Sequence, residues 1–488
     1  MGRKPLSLTE RIDPAGQVLQ KKLQTKIIAT IGPACQTAEG IRQMIEEGVD
    51  VLRLNFSHGN SQTHRRTCAD IKRIAVALGR NVAVLQDLPG PKVRVGKLPD
   101  GPVALKAGER VILTTATTQN SDKIPVNHRN LHKEITRGES IYIDDGEIEL
   151  RVYRVRERDI YCEVKAGGVL KDNKGINLPG AAISVNTPTP ADFRFMQLGI
   201  GMGVDMVAVS FVRSAGDMLR ARNFLKRRGT SKFLIAKIEK SEALGNIREI
   251  IEVSDGIMVA RGDLGVEIPI EKVPGAQRLI ISECNQRGKP VITATQMLDS
   301  MIERPNPTRA EATDVANAVI NGADALMLSG ETAIGKYPVR AVQVLRRIAL
   351  EAEKSVYWKN IRGDDYSRGV AESISHTAAE TAHRLAVSLI LTPTRTGKTS
   401  RLVSRFKPQC PIIAFTGNKV TSKELVLSWG VQALTIDQKL PFEDLLHRMK
   451  TMVRKHGFAR KGDLVVITSG SPASKAGETN LVVVEEIS

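Results

Sequence analysis

Eight short apolar runs, separated by stretches with helical periodicity, constrain the fold of this chain more than any other feature. The runs lie at residues 26–32, 50–57, 82–88, 204–211, 233–239, 256–263, 290–296 and 323–331. Near-continuous apolar runs that alternate with amphipathic helices indicate parallel strands covered on both faces. Eight such units predict a (β/α)8 barrel, a fold of the α/β class.

Two other regions interrupt and follow the predicted barrel. Between the third and fourth runs, alternating apolar and polar residues predict a small inserted domain of antiparallel strands, a β barrel. After the eighth run a second α/β series predicts a C-terminal domain with a mostly parallel sheet. The expected boundaries are a leader at 1–24, the barrel at 25–90 and 187–350, the insert at 91–186, and the C-terminal domain at 351–488.

The composition argues against several other classes of protein. The chain has 71 basic and 53 acidic residues, and a net charge of +18 can attract phosphorylated substrates or polyanions. The basic residues are dispersed and aromatic residues make up only 4%, so we expect no nucleic-acid partner. Five isolated cysteines suit a reducing compartment. Without a membrane-spanning run or a signal peptide, the protein is expected to be cytoplasmic, with no membrane partner.

Each predicted barrel strand ends in polar side chains, and barrels of this kind carry their chemistry at the carboxyl ends of the strands. We therefore expect these side chains to converge on one mouth. They are Thr30, Arg53, Asn55, Ser57, Asp87, Ser210, Lys237, Glu239, Arg261, Asp263, Thr295, Gln296, Ser329 and Glu331.

Lys237 and Glu239 should project from the same side of one strand, because they are two residues apart. A buried ion pair seldom improves stability over apolar packing, so the pair favours a functional site. Glu239 and Asp263 would offer two carboxylates to a hard cation such as Mg²⁺, which prefers one or two carboxylates plus water and phosphate oxygens. Arg53 adds a second fixed cation, and the set predicts phosphoryl transfer.

Two other functions are compatible with these patterns. A lyase or aldolase could use Lys237 as a Schiff-base amine, although Glu239 beside it favours the charged form of the amine. A protein that only binds nucleic acid through its basic surface would show salt-dependent binding and no turnover.

Seven segments resemble the pyruvate kinase family in sequence and in order. They are TKIIATIGPA, RLNFSHG, NKGINLPG, IAKIEKSEAL, VARGDLGVEIP, TATQMLDSMIERPNPTRAEATDVANAV and ALMLSGETAIGKYPVRAV. The resemblance spans residues 25–488. It implies that the chain converts phosphoenolpyruvate and ADP to pyruvate and ATP in glycolysis, with Mg²⁺ or Mn²⁺ as cofactor. It also implies a homotetramer, an insert that acts as a lid, and a C-terminal domain that regulates the enzyme.

The resemblance further implies roles for individual residues. Lys237 would stabilise the transferring phosphoryl group, Arg53 would bind phosphate, and Glu239 and Asp263 would bind the divalent metal. The residues that would bind the substrate carboxylate are Gly262, Asp263 and Thr295.

Proton transfer and nucleotide binding are assigned to other residues by the same resemblance. Thr295, with water ordered near Ser329 and Glu331, would protonate the enolate that remains after phosphoryl transfer. The nucleotide contacts would come from Asn55, Ser57, His58, Arg94 and Lys174.

The segment DLPGPKVR departs from the family pattern at the potassium site. Family members that need potassium bind it through side chains corresponding to Asn55, Ser57, Asp87 and a Thr after that Asp, and they have a Glu a few residues later. Here Leu88 replaces the Thr and has no side-chain oxygen, whereas Lys92 replaces the Glu and can supply the missing positive charge. We therefore expect activity without potassium. The alternative is that Lys92 merely faces solvent.

The segment LTPTRTGKTSRLV in the predicted C-terminal domain leads from a strand through Gly-Lys-Thr into a helix. This arrangement can bind phosphate on backbone amides. It lacks the first glycine of a Walker motif, so it does not predict a second site for ATP hydrolysis. By resemblance the loop binds a sugar-phosphate or nucleotide effector, and the alternative is a basic surface loop with no ligand. The candidate effector residues are Thr394, Thr396, Lys398 and Thr399.

Overall fold

A computed structural model describes residues 23–118, 120–144, 146–180, 184–355, 369–437, 440–470 and 478–488. The expected leader therefore lies outside the described residues, except for its last two positions. Residues 356–368, at the start of the expected C-terminal domain, also lie outside them. Strands and helices are numbered here in chain order. No helix in the described ranges is long and apolar enough to cross a membrane.

Eight parallel strands form a closed barrel. They are β1 (Lys26–Ile31), β2 (Val51–Asn55), β3 (Ala83–Asp87), β13 (Met206–Val209), β14 (Phe233–Ile238), β15 (Gly256–Ala260), β16 (Val291–Ala294) and β17 (Ala325–Leu328). Each barrel strand pairs with the next one, and β1 pairs with β17 to close the sheet. The predicted barrel is confirmed. Its strands are visible in the sequence because both of their faces are buried.

Helices surround the barrel. They are α1 (Ala38–Glu46), α2 (Ser61–Ala77), α4 (Pro190–Met202), α5 (Ala215–Arg227), α6 (Ser241–Gly245), α7 (Ile247–Val253), α8 (Arg261–Glu267), α9 (Val273–Gln286), α10 (Arg309–Ile320), α11 (Gly330–Ala333) and α12 (Pro338–Ser355). Short 3-10 turns cover Ile270–Lys272 and Asp299–Ile302. At the start of α4, Thr189 and Asp192 form a capping box. Asp192 also accepts a hydrogen bond from Gly90 N, which ties the return from the insert to the exit from β3.

The insert between β3 and α4 is built almost entirely of strands. They are β4 (Val93–Arg94), β5 (Val103–Leu105), β6 (Arg110–Thr114), β7 (Lys123–Pro125), β8 (Ser140–Ile143), β9 (Ile148–Arg156), β10 (Asp159–Ala166), β11 (Gly168–Leu170) and β12 (Gly175–Asn177), with one short helix, α3 (Leu131–Glu134). Seven of them form a sheet in the order β4-β12-β8-β9-β10-β6-β7, and β5 pairs with β11. A bridge between Val95 and Val126 joins the two edges of the large sheet, as expected for a small β barrel.

The C-terminal domain has a five-stranded sheet. Its strands are β18 (Leu389–Pro393), β19 (Ile412–Thr416), β20 (Val431–Thr435), β21 (Leu464–Ser469) and β22 (Leu481–Glu486). Its helices are α13 (Val370–Arg384), α14 (Lys398–Ser404), α15 (Lys419–Glu424) and α16 (Phe442–Lys455), with a 3-10 turn at Leu425–Leu427. The order is β20-β19-β18-β21-β22, and only β22 runs antiparallel to its neighbour. The predicted mostly parallel sheet is confirmed.

The C-terminal domain covers the amino-terminal ends of the barrel strands, which we call the barrel floor. Val426 and Leu427 belong to the same apolar cluster as the inward-facing side chains of the barrel, among them Met258. Around them, Lys26 Nζ donates to the carbonyl of Val431 at 2.8 Å. The opposite end of the barrel, where the strands finish, is the barrel mouth.

Candidate active site

Lys237 lies at the barrel mouth near the end of β14, where its ammonium group is surrounded by oxygen atoms. Its Nζ is 2.8 Å from Glu239 Oε1 and 3.1 Å from Asp87 Oδ1, and it donates to Ser210 Oγ at 2.7 Å. Lys237 is 9% exposed and the two acids are 1% exposed. The amine therefore joins two buried carboxylates that come from different strands.

The charges of this cluster stabilise one another. Burial disfavours the charged form of Lys237, but Asp87 and Glu239 outweigh burial and raise the pKa of the amine. Burial also opposes the charge on Asp87, yet Lys237 and Arg53 together lower the pKa of that carboxyl. For Glu239, burial raises the pKa, Asp263 raises it further, and Lys237 opposes both. A lysine whose pKa is raised is a fixed cation, which argues against the Schiff-base alternative.

Arg53, at the end of β2, is held on two sides. Its Nε donates to Asp87 Oδ2 at 2.7 Å, and its Nη1 donates to Thr30 Oγ1 at 2.9 Å. The Thr30 hydroxyl in turn donates to the carbonyl of Leu328, which fixes its orientation. Arg53 is 8% exposed. Arg53 and Lys237 thus share Asp87 and present two fixed positive charges to the same space.

Glu239 and Asp263 offer carboxylate oxygens at this site. Glu239 Oε2 accepts a hydrogen bond from Phe211 N at 2.7 Å, which orients the carboxylate. Asp263, in the first turn of α8, forms an ion pair with Lys92, with 3.0 Å between Oδ1 and Nζ. Among the described residues no group of three or more His, Cys, Asp or Glu side chains is arranged to hold a metal. A pair of carboxylates fits Mg²⁺, which completes its shell with water and substrate oxygens.

Thr295 and Gly262 meet beside Asp263. Thr295 Oγ1 accepts a hydrogen bond from Gly262 N at 2.7 Å and donates to the carbonyl of Ala294 at 2.6 Å. Thr295 has a positive φ of 65°, a conformation that β-branched residues rarely adopt. The loop after β16 therefore directs the threonine hydroxyl toward the start of α8.

Ser329 and Glu331 follow β17. Glu331 is buried, and its two carboxylate oxygens accept from Leu298 N at 3.0 Å and from Ser329 N at 2.7 Å. Burial raises the pKa of the Glu331 carboxyl. Ser329 Oγ is buried and has no hydrogen-bond partner within the described part of the chain. Glu331 thus connects the loops after β16 and β17, and Ser329 supplies a polar atom that a water molecule could satisfy.

Asn55, Ser57 and His58 form the turn after β2. Asn55 Oδ1 accepts from Ser57 N at 3.1 Å, and the Ser57 and His58 residues are exposed. Partial desolvation of the imidazole by its neighbours lowers the pKa of His58, and the positive charges of Arg94, Arg53 and Lys92 lower it further. The turn after β2 therefore lies within electrostatic range of Arg94 and Lys92.

Arg94 and Lys174 lie on the insert, at β4 and just before β12. Arg94 Nη1 donates to the carbonyl of Asn173 at 2.9 Å. Lys174 forms an ion pair with Asp144, with 2.6 Å between Nζ and Oδ2. Both cations are therefore already oriented by neighbours in the insert.

The segment between β3 and β4 differs in one respect from what the sequence suggests. Leu88 is 1% exposed and packs in the apolar cluster between the barrel strands and the surrounding helices, as its apolar side chain requires. Lys92 contacts Asp263, a candidate metal ligand, which the sequence analysis did not anticipate. The stem of Lys92 also lies against β12, because a Cβ added at Gly175 would come within 2.6 Å of Lys92 Cε. Contacts between residues so far apart in sequence leave no local signal.

The candidate effector loop joins β18 to α14. Thr394 Oγ1 accepts from Gly397 N at 3.0 Å, and Thr399 Oγ1 is 2.7 Å from Thr479 Oγ1. Both threonines are 6% exposed, whereas the Thr396 and Lys398 residues are exposed. Two of the four candidates are thus engaged inside the domain, and two face outward.

Two fixed cations and two carboxylates suited to a divalent metal, at the mouth of a (β/α)8 barrel, fit a phosphotransferase. Comparison with known proteins agrees: residues 22–342 match the model of the pyruvate kinase barrel domain, and residues 372–485 match that of the pyruvate kinase alpha/beta domain. The chain therefore belongs to the pyruvate kinase family, whose members use a divalent metal and convert phosphoenolpyruvate and ADP to pyruvate and ATP.

Individual relatives support this assignment over most of the chain. A pyruvate kinase from Geobacillus stearothermophilus is 43% identical over 474 residues, which are 96% of this chain and 81% of the relative. One from Thermococcus litoralis is 43% identical over 472 residues, 95% of this chain and 98% of the relative. A crystal structure of a pyruvate kinase from Cryptosporidium parvum superposes with a TM-score of 0.89 at 35% identity and covers 96% of each chain.

Proposed function

We propose that this enzyme transfers the phosphoryl group of phosphoenolpyruvate to ADP at the barrel mouth, with Lys237 and Arg53 as the groups that bind the phosphoryl oxygens. The observation that carries this proposal is the shared contact of both cations with Asp87. The carboxylate fixes the two positive charges side by side before substrate arrives, so little reorganisation is needed when negative charge shifts during transfer.

The metal site would consist of Glu239 and Asp263. Mg²⁺ or Mn²⁺ held by these two carboxylates would supply positive charge for the transferring group. The substrate carboxylate would lie at the start of α8, near Gly262, Asp263 and Thr295. The contact between Thr295 Oγ1 and Gly262 N supports this placement, because it brings the hydroxyl and the first turn of α8 together.

Protonation of the enolate would follow phosphoryl transfer. Carbon C3 of the enolate gains a proton, and the methyl group of pyruvate forms. We propose that Thr295 delivers this proton, together with a water molecule held near Ser329 and Glu331. The buried Ser329 Oγ supports the assignment, because it lacks a partner in the described segments and can hold such a water molecule.

The nucleotide would bind between the turn after β2 and the insert. Asn55, Ser57 and His58 line one side, and Arg94 and Lys174 line the other. The positive charge of Arg94, which adds to desolvation in lowering the pKa of His58, supports this proposal because the two residues belong to the two sides. The insert would then act as a lid that excludes water from the reacting phosphoryl group.

A coupled assay of pyruvate formation from phosphoenolpyruvate, ADP and Mg²⁺ tests the assignment of Lys237. We expect turnover by the wild-type chain and loss of turnover in Lys237→Met. Lys240→Met is the matched control: Lys240 pairs with Glu267 rather than with the phosphoryl-binding cluster, so this variant should remain active. Equal activity of the two variants would contradict the proposed role of Lys237.

Potassium independence is a separate proposal. Leu88 has no side-chain oxygen for a cation, and Lys92 places a positive charge at the mouth, 3.0 Å from Asp263. We expect full activity when tetramethylammonium is the only monovalent cation, and we expect Lys92→Glu to become dependent on potassium. A wild-type rate that collapses in tetramethylammonium and returns with potassium would refute this proposal.

Regulation through the C-terminal domain is also proposed, with a sugar phosphate or nucleotide bound near Thr394, Thr396, Lys398 and Thr399. The outward orientation of Thr396 and Lys398 supports a ligand there, and Lys398→Ala should abolish any activation by such compounds while basal activity is kept. We further propose that the enzyme is cytoplasmic and that it forms a homotetramer. Sedimentation analysis of the purified enzyme tests the oligomeric state. A monomer at working concentration would contradict it.

A further inference from the structure

Arg261 links three elements of the barrel mouth that the proposed mechanism treats separately. It opens α8 at the end of β15, and it is 8% exposed. Its Nη2 donates to the carbonyl of Thr295 at 2.7 Å and to the carbonyl of Gln296 at 3.2 Å, and its Nε lies 3.3 Å from the carbonyl of Thr295. Its Nη1 forms an ion pair with Asp314 of α10.

The two carbonyls that Arg261 binds belong to a strained part of the backbone. Thr295 and Gln296 have φ values of +65° and +52°, so two successive residues adopt the left-handed conformation. Each costs about 1–2 kcal/mol relative to an ordinary conformation. Such a conformation persists only when the surroundings hold it in place. The guanidinium provides this constraint, because its Nη2 donates to both carbonyls while its Nε also reaches the carbonyl of Thr295.

The strained backbone determines where the Thr295 hydroxyl lies. With the loop in this conformation, Thr295 Oγ1 accepts from Gly262 N and donates to the carbonyl of Ala294. If the loop relaxed to an ordinary conformation, the hydroxyl would leave Gly262, and the pocket at the start of α8 would lose its polar edge. A misplacement of about 1 Å at a reacting centre can cost about 100-fold in rate.

We propose that Arg261 is a positioning residue for the substrate pocket: it holds Thr295 and Gln296 in the left-handed conformation that directs the Thr295 hydroxyl to the start of α8. This inference rests on the proposed role of Thr295 in handling the substrate. Asp314 contributes less, by orienting the guanidinium. Its side chain is 38% exposed, so water can replace its contact with Arg261.

The test compares Arg261→Ala, Arg261→Lys and Asp314→Asn in the full-length enzyme. We expect Arg261→Ala to lower kcat about 100-fold and to raise KM for phosphoenolpyruvate, because Thr295 also borders the proposed carboxylate site, while KM for ADP changes by less than about threefold. Arg261→Lys keeps the charge but loses the fork, and we expect a loss of about tenfold. Asp314→Asn keeps both carbonyl contacts and should stay within about twofold of the wild type.

Chemical rescue separates positioning from a general effect on folding. Added guanidinium ion at millimolar concentration can occupy the space left in Arg261→Ala, and we expect it to restore kcat at least about tenfold without a matching rise in Tm. The proposal is overturned if Arg261→Lys has wild-type kcat, or if the loss in Arg261→Ala follows its Tm and guanidinium restores nothing.

Thr295→Val distinguishes this inference from the proposed function. Valine keeps the size of threonine and removes the hydroxyl, so kcat should fall and guanidinium should have no effect. Wild-type kcat in Thr295→Val would contradict the proposed role of Thr295 and also the inference that Arg261 acts through its hydroxyl. A slow Thr295→Val combined with a fully active Arg261→Ala would contradict only the role of Arg261.

Discussion

The mouth and the floor of the barrel differ in composition although the same eight strands form both ends. At the mouth, Arg53, Lys237, Asp87 and Glu239 bury four charged groups against one another. At the floor, Val426 and Leu427 of the C-terminal domain complete an apolar cluster that lines the barrel interior. Buried charges gain little over apolar packing in stability, whereas buried leucines stabilise a fold directly. The comparison agrees with the proposed catalytic role of the mouth and leads us to expect that the floor contributes mainly to stability.

Lys237→Met should have the largest effect, and it should fall mainly on activity. We expect kcat to drop about 10³-fold or more, because a fixed charge that faces the phosphoryl group is lost. Stability should also fall by about 3–5 kcal/mol at neutral pH, since Asp87 and Glu239 are left without their shared cation. Steady-state kinetics and urea unfolding measure the two quantities.

The pH dependence of this variant follows from Glu239. Burial and Asp263 already raise the pKa of Glu239, and removal of Lys237 removes the charge that opposes this rise. An acid whose pKa is raised in the folded state binds more protons when folded, so stability decreases as pH rises above the ordinary glutamate pKa. Lys237→Met/Glu239→Gln should recover stability but not activity. Unfolding free energies of Lys237→Met that do not change between pH 5 and 8 would contradict this account.

Leu427→Ala tests the floor. Leu427 is fully buried, so we expect a loss of about 2–5 kcal/mol in the free energy of unfolding and little change in kcat at 25 °C. Val420→Ala is the matched control, because Val420 is 52% exposed on α15 of the same domain and should change stability by less than about 0.5 kcal/mol. A large loss of kcat in folded Leu427→Ala would break the separation between the two ends.

Lys92→Met tests the rim of the mouth, where charges are partly exposed and effects should be smaller. Lys92 neutralises Asp263, so its removal should tighten Mn²⁺ binding about tenfold, a change of about 1.4 kcal/mol. Electron paramagnetic resonance titration of the enzyme with Mn²⁺ measures this without turnover. Lys240→Met should leave Mn²⁺ affinity unchanged. Weaker binding in Lys92→Met would show that Lys92 does not compete with the metal for Asp263.

Asn81→Ala should have the smallest effect. Asn81 Nδ2 donates to the carbonyl and to Oγ of Ser422 at the exposed edge of the floor, at 3.1 and 3.0 Å. Hydrogen bonds of this kind contribute about 0.5–1.5 kcal/mol to stability. We therefore expect the free energy of unfolding to fall by an amount near the lower end of this range, with no change in kcat. A larger loss of unfolding free energy would mean that polar contacts at the exposed edge of the floor stabilise the protein more than we expect.

The sequence predicts the barrel well and the insert less well, for a physical reason. Barrel strands are buried on both faces and leave continuous apolar runs, whereas β4 and β12 contain only two and three residues. Strands this short are defined by their partners rather than by their own composition. The edge-joining bridge between Val95 and Val126 likewise depends on tertiary contacts that no local pattern records.

The candidate site shows the same limit. That the ends of the strands are polar is visible in the sequence, and Lys237 and Glu239 follow from strand periodicity. The contact between Lys92 and Asp263 is not visible, because the two residues are 171 positions apart. The left-handed backbone at Thr295 cannot be predicted from the sequence either, because threonine rarely adopts that conformation.

The closure of the barrel by β1 and β17 has a consequence for biosynthesis. Lys26 pairs with Ala325, so the first strand leaves the ribosome long before its partner exists. Until then β1 has an unpaired edge. The apolar barrel interior stays uncovered at the floor for longer, because Val426 and Leu427 are synthesised later than β17. Unpaired edges and open apolar surfaces promote aggregation in partly made chains. The growing polypeptide is therefore exposed to aggregation until most of it has been translated.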